Sequence, residues 1–408
     1  MHVNAPVTRE TKLMTMTIPI MSSFPKLTIR GRELLPIVQG GMGVAISAHR
    51  LASAVAREGA MGTIASVDLR HLHSDIMARL KRCRDPQRLL HGNLEALDRE
   101  IKAARAAAGP SAFIAVNVMK ALNHYADFVR QACRSGAQAI VMGAGLPLDL
   151  PELTHGHDVA LIPILSEERG IELLLRKWMR KGRLPDAIVI EHPGHAGGHL
   201  GAANLADVTD HRFDFGHVLK QALAVLKKLG LAGESIPLIP AGGIGSFGAI
   251  RELLEKGAAG VQLGTAFAVT EECDAHLNFK KVLADAKSED VVTFMSAAGL
   301  PARAVLTPWL KRYLAREGLL KARAESRCGS CASGLECLSH CGFKDGNPQA
   351  GQFCIETQLA AAARGNVNSG LFFRGAAALP FGHEIRSVRD LLEYLLTGIR
   401  PAMAKMIA

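Results

Sequence analysis

Aromatic side chains are scarce in this chain: two Trp, three Tyr and 14 Phe make up only 5% of it. A nucleic-acid surface needs cations interleaved with rings that stack on bases. Arg176, Lys177, Arg180, Lys181, Lys227 and Lys228 instead lie among helical patterns without such rings. The formal charge of +10 therefore points to an acidic protein or a phosphate-bearing substrate, with no nucleic acid. No apolar run reaches the ~18 residues that a membrane span requires. The first 25 residues lack an apolar core followed by a small-residue cleavage site and read as an irregular extension of a cytoplasmic protein. A Gly-x-Gly-x-x-Gly loop after the first strand is also missing, and with it the fingerprint of a Rossmann dinucleotide site.

Glycine, by contrast, is abundant, with 40 residues, many at the ends of apolar runs. Such runs cover 35–39, 62–66, 113–118, 139–142, 159–164, 187–191, 236–240 and 260–264, separated by amphipathic helical patterns. Each is nearly continuous in apolar residues, which implies burial on both faces and hence a parallel sheet. Eight such units predict an α/β fold of the (β/α)8 TIM-barrel type, with an open doubly wound sheet as the alternative. Ser47, Asn123 and Ser166 stand where helices begin. The charged segment 68–110 is too long for a simple connection and reads as a helical excursion above the barrel mouth. The expected organisation is an extension over 1–25, the barrel over 26–270, a cysteine-rich lid over 271–365 and a C-terminal helical segment over 366–408. Residues 271–325 read as helices. Ser387 opens a closing amphipathic helix that carries Val388, Leu391, Leu392 and Leu395 towards the barrel.

The chemistry concentrates where strands run out into loops. After the apolar run 187–191, Glu191 leads into a loop holding His192, His195 and His199 among Gly194, Gly197, Gly198 and Gly201. Those glycines let backbone approach a flat ligand, and the histidines titrate near neutral pH; a solvated loop is the bland alternative. Gly242-Gly243 and Gly264-Thr265 offer N–H groups and a hydroxyl just ahead of helices, which suits a phosphate, with structural tight turns as the alternative. Cys83, Cys133 and Cys273 are scattered and read as small buried hydrophobes. Cys328, Cys331, Cys337, Cys341 and Cys354 fall within 27 residues. In a reducing compartment that clustering favours an iron–sulfur centre or zinc over disulfides.

Four motifs together carry a family resemblance: Gln39-Gly40-Gly41-Met42-Gly43, the Glu191 to His199 stretch ending in Gly-Gly-His, Ala241-Gly242-Gly243-Ile244, and Gln262-Leu263-Gly264-Thr265. They resemble the FMN-dependent nitronate monooxygenase (2-nitropropane dioxygenase) superfamily, which also contains FMN-type enoyl-acyl carrier protein reductases. The tail narrows the likeness. Glu272-Cys273-Asp274-Ala275, Pro301-Ala302-Arg303-Ala304, the cysteine cluster and Gly370 to Gly375 resemble a branch holding FMN and a [4Fe–4S] cluster, typified by an acyl-acyl carrier protein dehydrogenase/isomerase of unsaturated fatty acid synthesis.

This resemblance implies FMN cradled by Gly41, Met42 and Gly43, with Asn117 and Glu191 at its polar edge and Gly198, Gly242, Gly243, Gly264 and Thr265 around its phosphate and approach. It makes His199 the active-site base and gives His192 and His195 structural roles. It further implies a [4Fe–4S] cluster on Cys331, Cys337, Cys341 and Cys354, with Cys328 as an alternative first ligand. The implied partner is acyl carrier protein bearing the substrate, and a homodimer is an expected assembly. Three readings stay open beside the dehydrogenase/isomerase: a nitronate monooxygenase, an NAD(P)H-dependent enoyl reductase, and a non-enzymatic redox-sensing metal protein.

Overall fold

A computed structural model describes residues 19–232, 236–327 and 337–401. Eight parallel strands close into a barrel: β1 (Ile37–Gln39), β2 (Met61–Ala65), β3 (Phe113–Met119), β4 (Ala139–Gly143), β5 (Ala160–Leu165), β6 (Ile188–Glu191), β7 (Leu238–Ala241) and β8 (Val261–Leu263). β8 pairs back onto β1 with Val261 opposite Ile37 and Leu263 opposite Gln39, which seals the cylinder. The fold is a TIM barrel.

β1 meets β2 at a single registered pair, Val38 opposite Met61. The buried Gln39 side chain fills in for the missing ladder, accepting from the Thr63 N–H at 2.8 Å and donating to the Thr63 carbonyl at 3.0 Å. Inward-facing Val38, Met61, Phe113, Ala115, Val141, Ile162, Val189 and Ile239 fill the barrel, and Leu27, Ile29 and Leu34 of a preceding hairpin join the same cluster. That hairpin plugs the end where strands begin: Arg32 donates to the Ser111 carbonyl at 2.7 Å, just ahead of β3. The opposite end is left open for chemistry.

Helix α1 (His49–Arg57) follows β1. Ser47 does not cap it, contrary to its position in the sequence. Its hydroxyl instead accepts from the Met42 N–H at 2.8 Å and shapes the loop, while the Asp274 carboxylate takes the N–H groups of Ala48, Arg50 and Leu51 at 2.8, 3.2 and 3.2 Å. Ser166 and Asn123 are likewise not caps, since their helices start two residues later, at Glu168 and Tyr125, and the cap positions fall on Glu167 and His124. The excursion after β2 forms helix α2 (Ser74–Arg79) and the long helix α3 (Pro86–Ala108), whose Asp85 cap accepts from the Gln87 N–H at 2.9 Å.

Beyond the barrel, residues 291–305 are not helical as their place in the chain suggests. Val291–Met295 and Pro301–Val305 form an antiparallel hairpin, as β-branched Val291, Val292 and Thr293 favour. Its second strand pairs with Gly198–His199, so the histidine loop becomes the third strand of a small sheet. Helix Val388–Thr397 is capped by the Ser387 hydroxyl, which accepts from the Asp390 N–H at 3.0 Å. It seals the seam between α1 and helix Phe247–Glu255, supplying the outer layer that β8 lacks. No helix among the described residues is long and apolar enough to cross a membrane.

Candidate active site

The strand ends open into one cavity of about 760 Å³, within the range of pockets that hold a cofactor together with a substrate. Gly41, Met42, Gly43, Asn117, Glu191, Gly198, His199, Gly242, Gly243, Gly264 and Thr265 all line it. The structure thus brings to one cavity every residue that the sequence assigns to catalysis or to FMN.

Close approach of backbone is what the first loop requires. A Cβ on Gly41 would sit 2.3 Å from the Asn117 Cβ, so the loop after β1 lies directly on the end of β3. Across the mouth, Gly242 and Gly243 adopt φ of +107° and +76°, a region that L side chains rarely enter. Among the described residues their N–H groups make no backbone hydrogen bond, which leaves donors for an anion. Thr265 Oγ1 accepts from the Gly375 N–H at 3.0 Å, bringing a C-terminal segment to the same rim. Gly198 pairs with Arg303 and neighbours the Phe373 ring, and the loop just before it packs on the glycine turn, with Ala196 N 3.1 Å from where a Gly242 Cβ would stand.

His199 projects from the short strand into the cavity wall. Its Nε2 is buried with no hydrogen-bond partner among the described residues, and Phe373 stands edge-on at 5.5 Å between ring centroids. Burial holds the imidazole down to about 4, so it is neutral at physiological pH. Glu191 ends β6; burial lifts its carboxyl to about 7, with the Arg303 charge pulling the other way. Ser66 Oγ and Asp68 Oδ2, also buried and without a partner among the described residues, belong to residues of the cavity wall. Burial first, then the Glu356 carboxylate, raises Asp68, against the pull of Arg70. The His192 and His195 rings meet tilted, 4.3 Å between centroids; His192 Nδ1 accepts from the Gly194 N–H at 3.0 Å, and burial depresses both rings.

Arg303 stands in one of the tail motifs, where sequence patterns assign it no role of its own. Buried on the hairpin, its Nη1 donates to the Pro193 carbonyl at 2.9 Å and to the Ala196 carbonyl, clamping the loop that carries His199. A lone arginine inside the apolar run 301–305 was the available signal, because a buried cation demands partners. Arg374 does similar work from the other side, donating from Nε to the Leu283 carbonyl at 2.9 Å and from Nη1 to the Gly375 carbonyl at 3.0 Å. The far wall is a strap: Asn123 N–H donates to the Cys337 carbonyl and Ser339 N–H to the Ala121 carbonyl, both at 3.0 Å, on either side of a Leu122–Leu338 bridge.

The strap brings Cys337 to the cavity, and Cys341 and Cys354 are half-buried nearby in sequence. Cys328 and Cys331 lie outside the described residues. Among the described residues no three His, Cys, Asp or Glu side chains converge to hold a metal ion. The described cysteines therefore do not by themselves fit the cluster that the tail motifs imply.

A model of the nitronate monooxygenase family matches residues 31–398. The chain belongs to that family. Nitronate monooxygenase-family members are FMN-dependent oxidoreductases, and this chain is an enzyme of that class. It is 28% identical over 148 residues to a probable nitronate monooxygenase of Bacillus subtilis, covering 36% of each chain. A probable nitronate monooxygenase of Staphylococcus saprophyticus is 29% identical over 123 residues, 29% of this chain and 31% of that one. These alignments span about a third of the curated relatives' length. Among solved structures, FabK from Thermotoga maritima superposes with a TM-score of 0.60 at 21% identity, covering 88% of this chain and 92% of that chain. A nitroalkane oxidase from Streptomyces ansochromogenes gives 0.59 at 18%, covering 88% and 94%. Both likenesses concern the fold.

The residues present fit FMN. Glycine loops leave space where side chains would intrude, donors at Gly242 and Gly243 face the rim, and buried polar atoms on Ser66, Asp68 and His199 lack partners that a polar heterocycle or its substrate would provide.

Proposed function

We propose that this nitronate monooxygenase-family enzyme oxidises an acyl thioester carried on acyl carrier protein, as an acyl-acyl carrier protein dehydrogenase/isomerase. The observation that carries this reading is the buried, unpartnered, neutral Nε2 of His199 in a cavity whose walls include Met119, Leu122, Leu146, Leu165, Leu300 and Leu338. A long apolar chain finds partners there, and a base meets the carbon next to its carbonyl.

When bound, FMN supplies a two-electron hydride acceptor. Gly41, Met42 and Gly43 would lie under its ring, Asn117 and Glu191 at its polar edge, and Gly242, Gly243, Gly264 and Thr265 around its phosphate. His199 Nε2 takes the proton α to the thioester carbonyl as hydride leaves the β carbon. Once that proton has passed to solvent, the neutral Nε2 takes a γ proton and delivers it to the α carbon, moving the double bond to β,γ. Phe373 and the hairpin exclude water from the imidazole, keeping it unprotonated until substrate arrives. No step is assigned to a cluster on Cys331, Cys337, Cys341 and Cys354; iron and zinc quantitation on anaerobically purified protein decides what those cysteines hold.

The test mixes purified flavoprotein anaerobically with a saturated medium-chain acyl-acyl carrier protein. Flavin bleaching with an unsaturated product is expected, and its loss in His199→Ala. Absence of both in the wild type overturns the reading. The family match supports a second reading, oxidation of an alkyl nitronate, and oxygen consumption on propionate 3-nitronate without turnover of acyl substrates would establish it.

A further inference from the structure

Helix α3 is longer than its place in the barrel requires. Its C-terminal half packs on α1, and Glu100 accepts from the N–H of His49, the first residue of α1, at 2.8 Å. Glu100 thus marks the level of the mouth, where α1 begins. The fourteen residues 86–99 rise beyond it by roughly 20 Å at the helical rise per residue. α2 climbs alongside: Arg99 pairs with Asp75 at 2.9 Å, and Arg79 pairs with Glu95 at 2.6 Å one turn higher. Leu80 and Ile76 pack on Gly92. The two helices form a tower on the face where the cavity opens, rooted at the wall residue Asp68.

The top of that tower is strongly basic. Lys81, Arg82, Arg84 and Arg88 are all exposed, against one carboxylate, Asp85, which is engaged as the α3 cap. Cations lower on the tower have carboxylate partners; among the described residues these four have none. Four uncompensated cations raised over an active-site mouth create a local positive field that attracts an acidic macromolecule and slows its escape. The sequence contains no aromatic residue between Phe24 and Phe113, so the tower offers no ring on which a nucleobase could stack.

We propose that the tower top at Lys81, Arg82, Arg84 and Arg88 docks the acidic carrier protein that presents the acyl group, holding it above the mouth while its flexible arm delivers the thioester to the cavity. This rests on the acyl-carrier reading of the site and adds the surface that recognises the carrier.

The experiment compares wild type with the charge reversal K81E/R82E/R84E/R88E on two substrates bearing the same acyl group, acyl carrier protein and a short N-acetylcysteamine thioester. The reversal is expected to lower kcat/KM for the carrier substrate by about 10- to 100-fold, with the effect shrinking as salt rises, and to leave the short thioester unchanged. An equal fall on both substrates, or no fall on either, overturns the proposal. If neither substrate turns over, the function reading has failed and docking is judged by fluorescence anisotropy of labelled acyl carrier protein. Salt-sensitive binding by wild type that the reversal abolishes supports the surface, and no binding by wild type overturns it. Binding of a labelled DNA duplex as tight as that of the carrier, lost in the same variant, also overturns it in favour of nucleic acid. Should the reversal not fold, K81Q/R82Q/R84Q/R88Q reads the same comparison with a smaller expected drop.

Discussion

Replacing Glu191 with Gln should stabilise the FMN-free protein in alkaline solution and not in acid. Burial lifts the Glu191 carboxyl from an ordinary 4.5 to about 7. At about 1.4 kcal/mol for each tenfold change in proton affinity, ionising this side chain in the fold rather than in the unfolded chain costs roughly 3 kcal/mol. Because the folded value lies above the unfolded one, the native state holds its proton more tightly between the two. Its contribution to stability is therefore fully present below pH 4.5 and drains away as pH rises through 7. The amide of the Glu191→Gln variant has no proton to lose. Guanidinium unfolding midpoints of both proteins at pH 4.5, 6 and 8 should give a difference that grows in favour of the variant to roughly 3 kcal/mol at pH 8. Other titrating groups cancel in that difference. A pH-independent gap, or wild type the more stable at pH 8, would refute the assignment of a neutral, desolvated carboxyl and imply that Arg303 pairs with it outright.

The histidine gives the mirror image. His199 sits at about 4, below its ordinary 6.5, so its contribution is intact above pH 6.5 and is lost as pH falls through 4; His199→Gln should flatten that acid loss in the same unfolding series. Phe373→Ala opens the imidazole to water and should move its titration upward towards 6.5, followed by NMR of the labelled ring; an unmoved titration would show that Phe373 does not shield it. Arg303→Gln removes a charged donor from two loop carbonyls and should destabilise by about 2–4 kcal/mol while raising Glu191 above 7; Arg303→Lys should recover only part, because a single ammonium does not reproduce the planar fork. Gly41→Ala forces a methyl to 2.3 Å from the Asn117 Cβ and should cost about 1–3 kcal/mol together with most of the bound flavin, scored as flavin per chain after purification.

The barrel was legible because a parallel strand buried on both faces leaves an unmistakable apolar run. All eight runs became barrel strands, with ends shifted by at most two residues. The cavity residues were legible through glycine: Gly41, Gly242 and Gly243 sit where backbone must come close or adopt positive φ, and few other residues tolerate that. What escaped was long-range. Ser47 resembles a cap by position, yet Asp274, over two hundred residues away, outcompetes it for the helix N-terminus. The 291–305 hairpin escaped because a run of barrel units biases the eye towards helices after each strand, while its β-branched residues signalled otherwise. Arg303 and Phe373 stand in motifs visible in the sequence, but their roles escaped for a related reason: those roles exist only once the hairpin and the C-terminal segment fold over the histidine loop. The cysteine assignment rests partly on Cys331, outside the described residues, and Cys337, Cys341 and Cys354 alone do not assemble a metal site.

The strand pairing of His199 with Ala302 has a consequence for how this enzyme comes into being. A ribosome releases the cylinder well before it releases the hairpin, and the cavity walls contributed by Leu338 and Phe373 follow later still. During synthesis all eight strands are made while the histidine loop still lacks the strand that anchors it. The cavity is therefore completed last, when the polypeptide's final quarter folds back over strands made long before it.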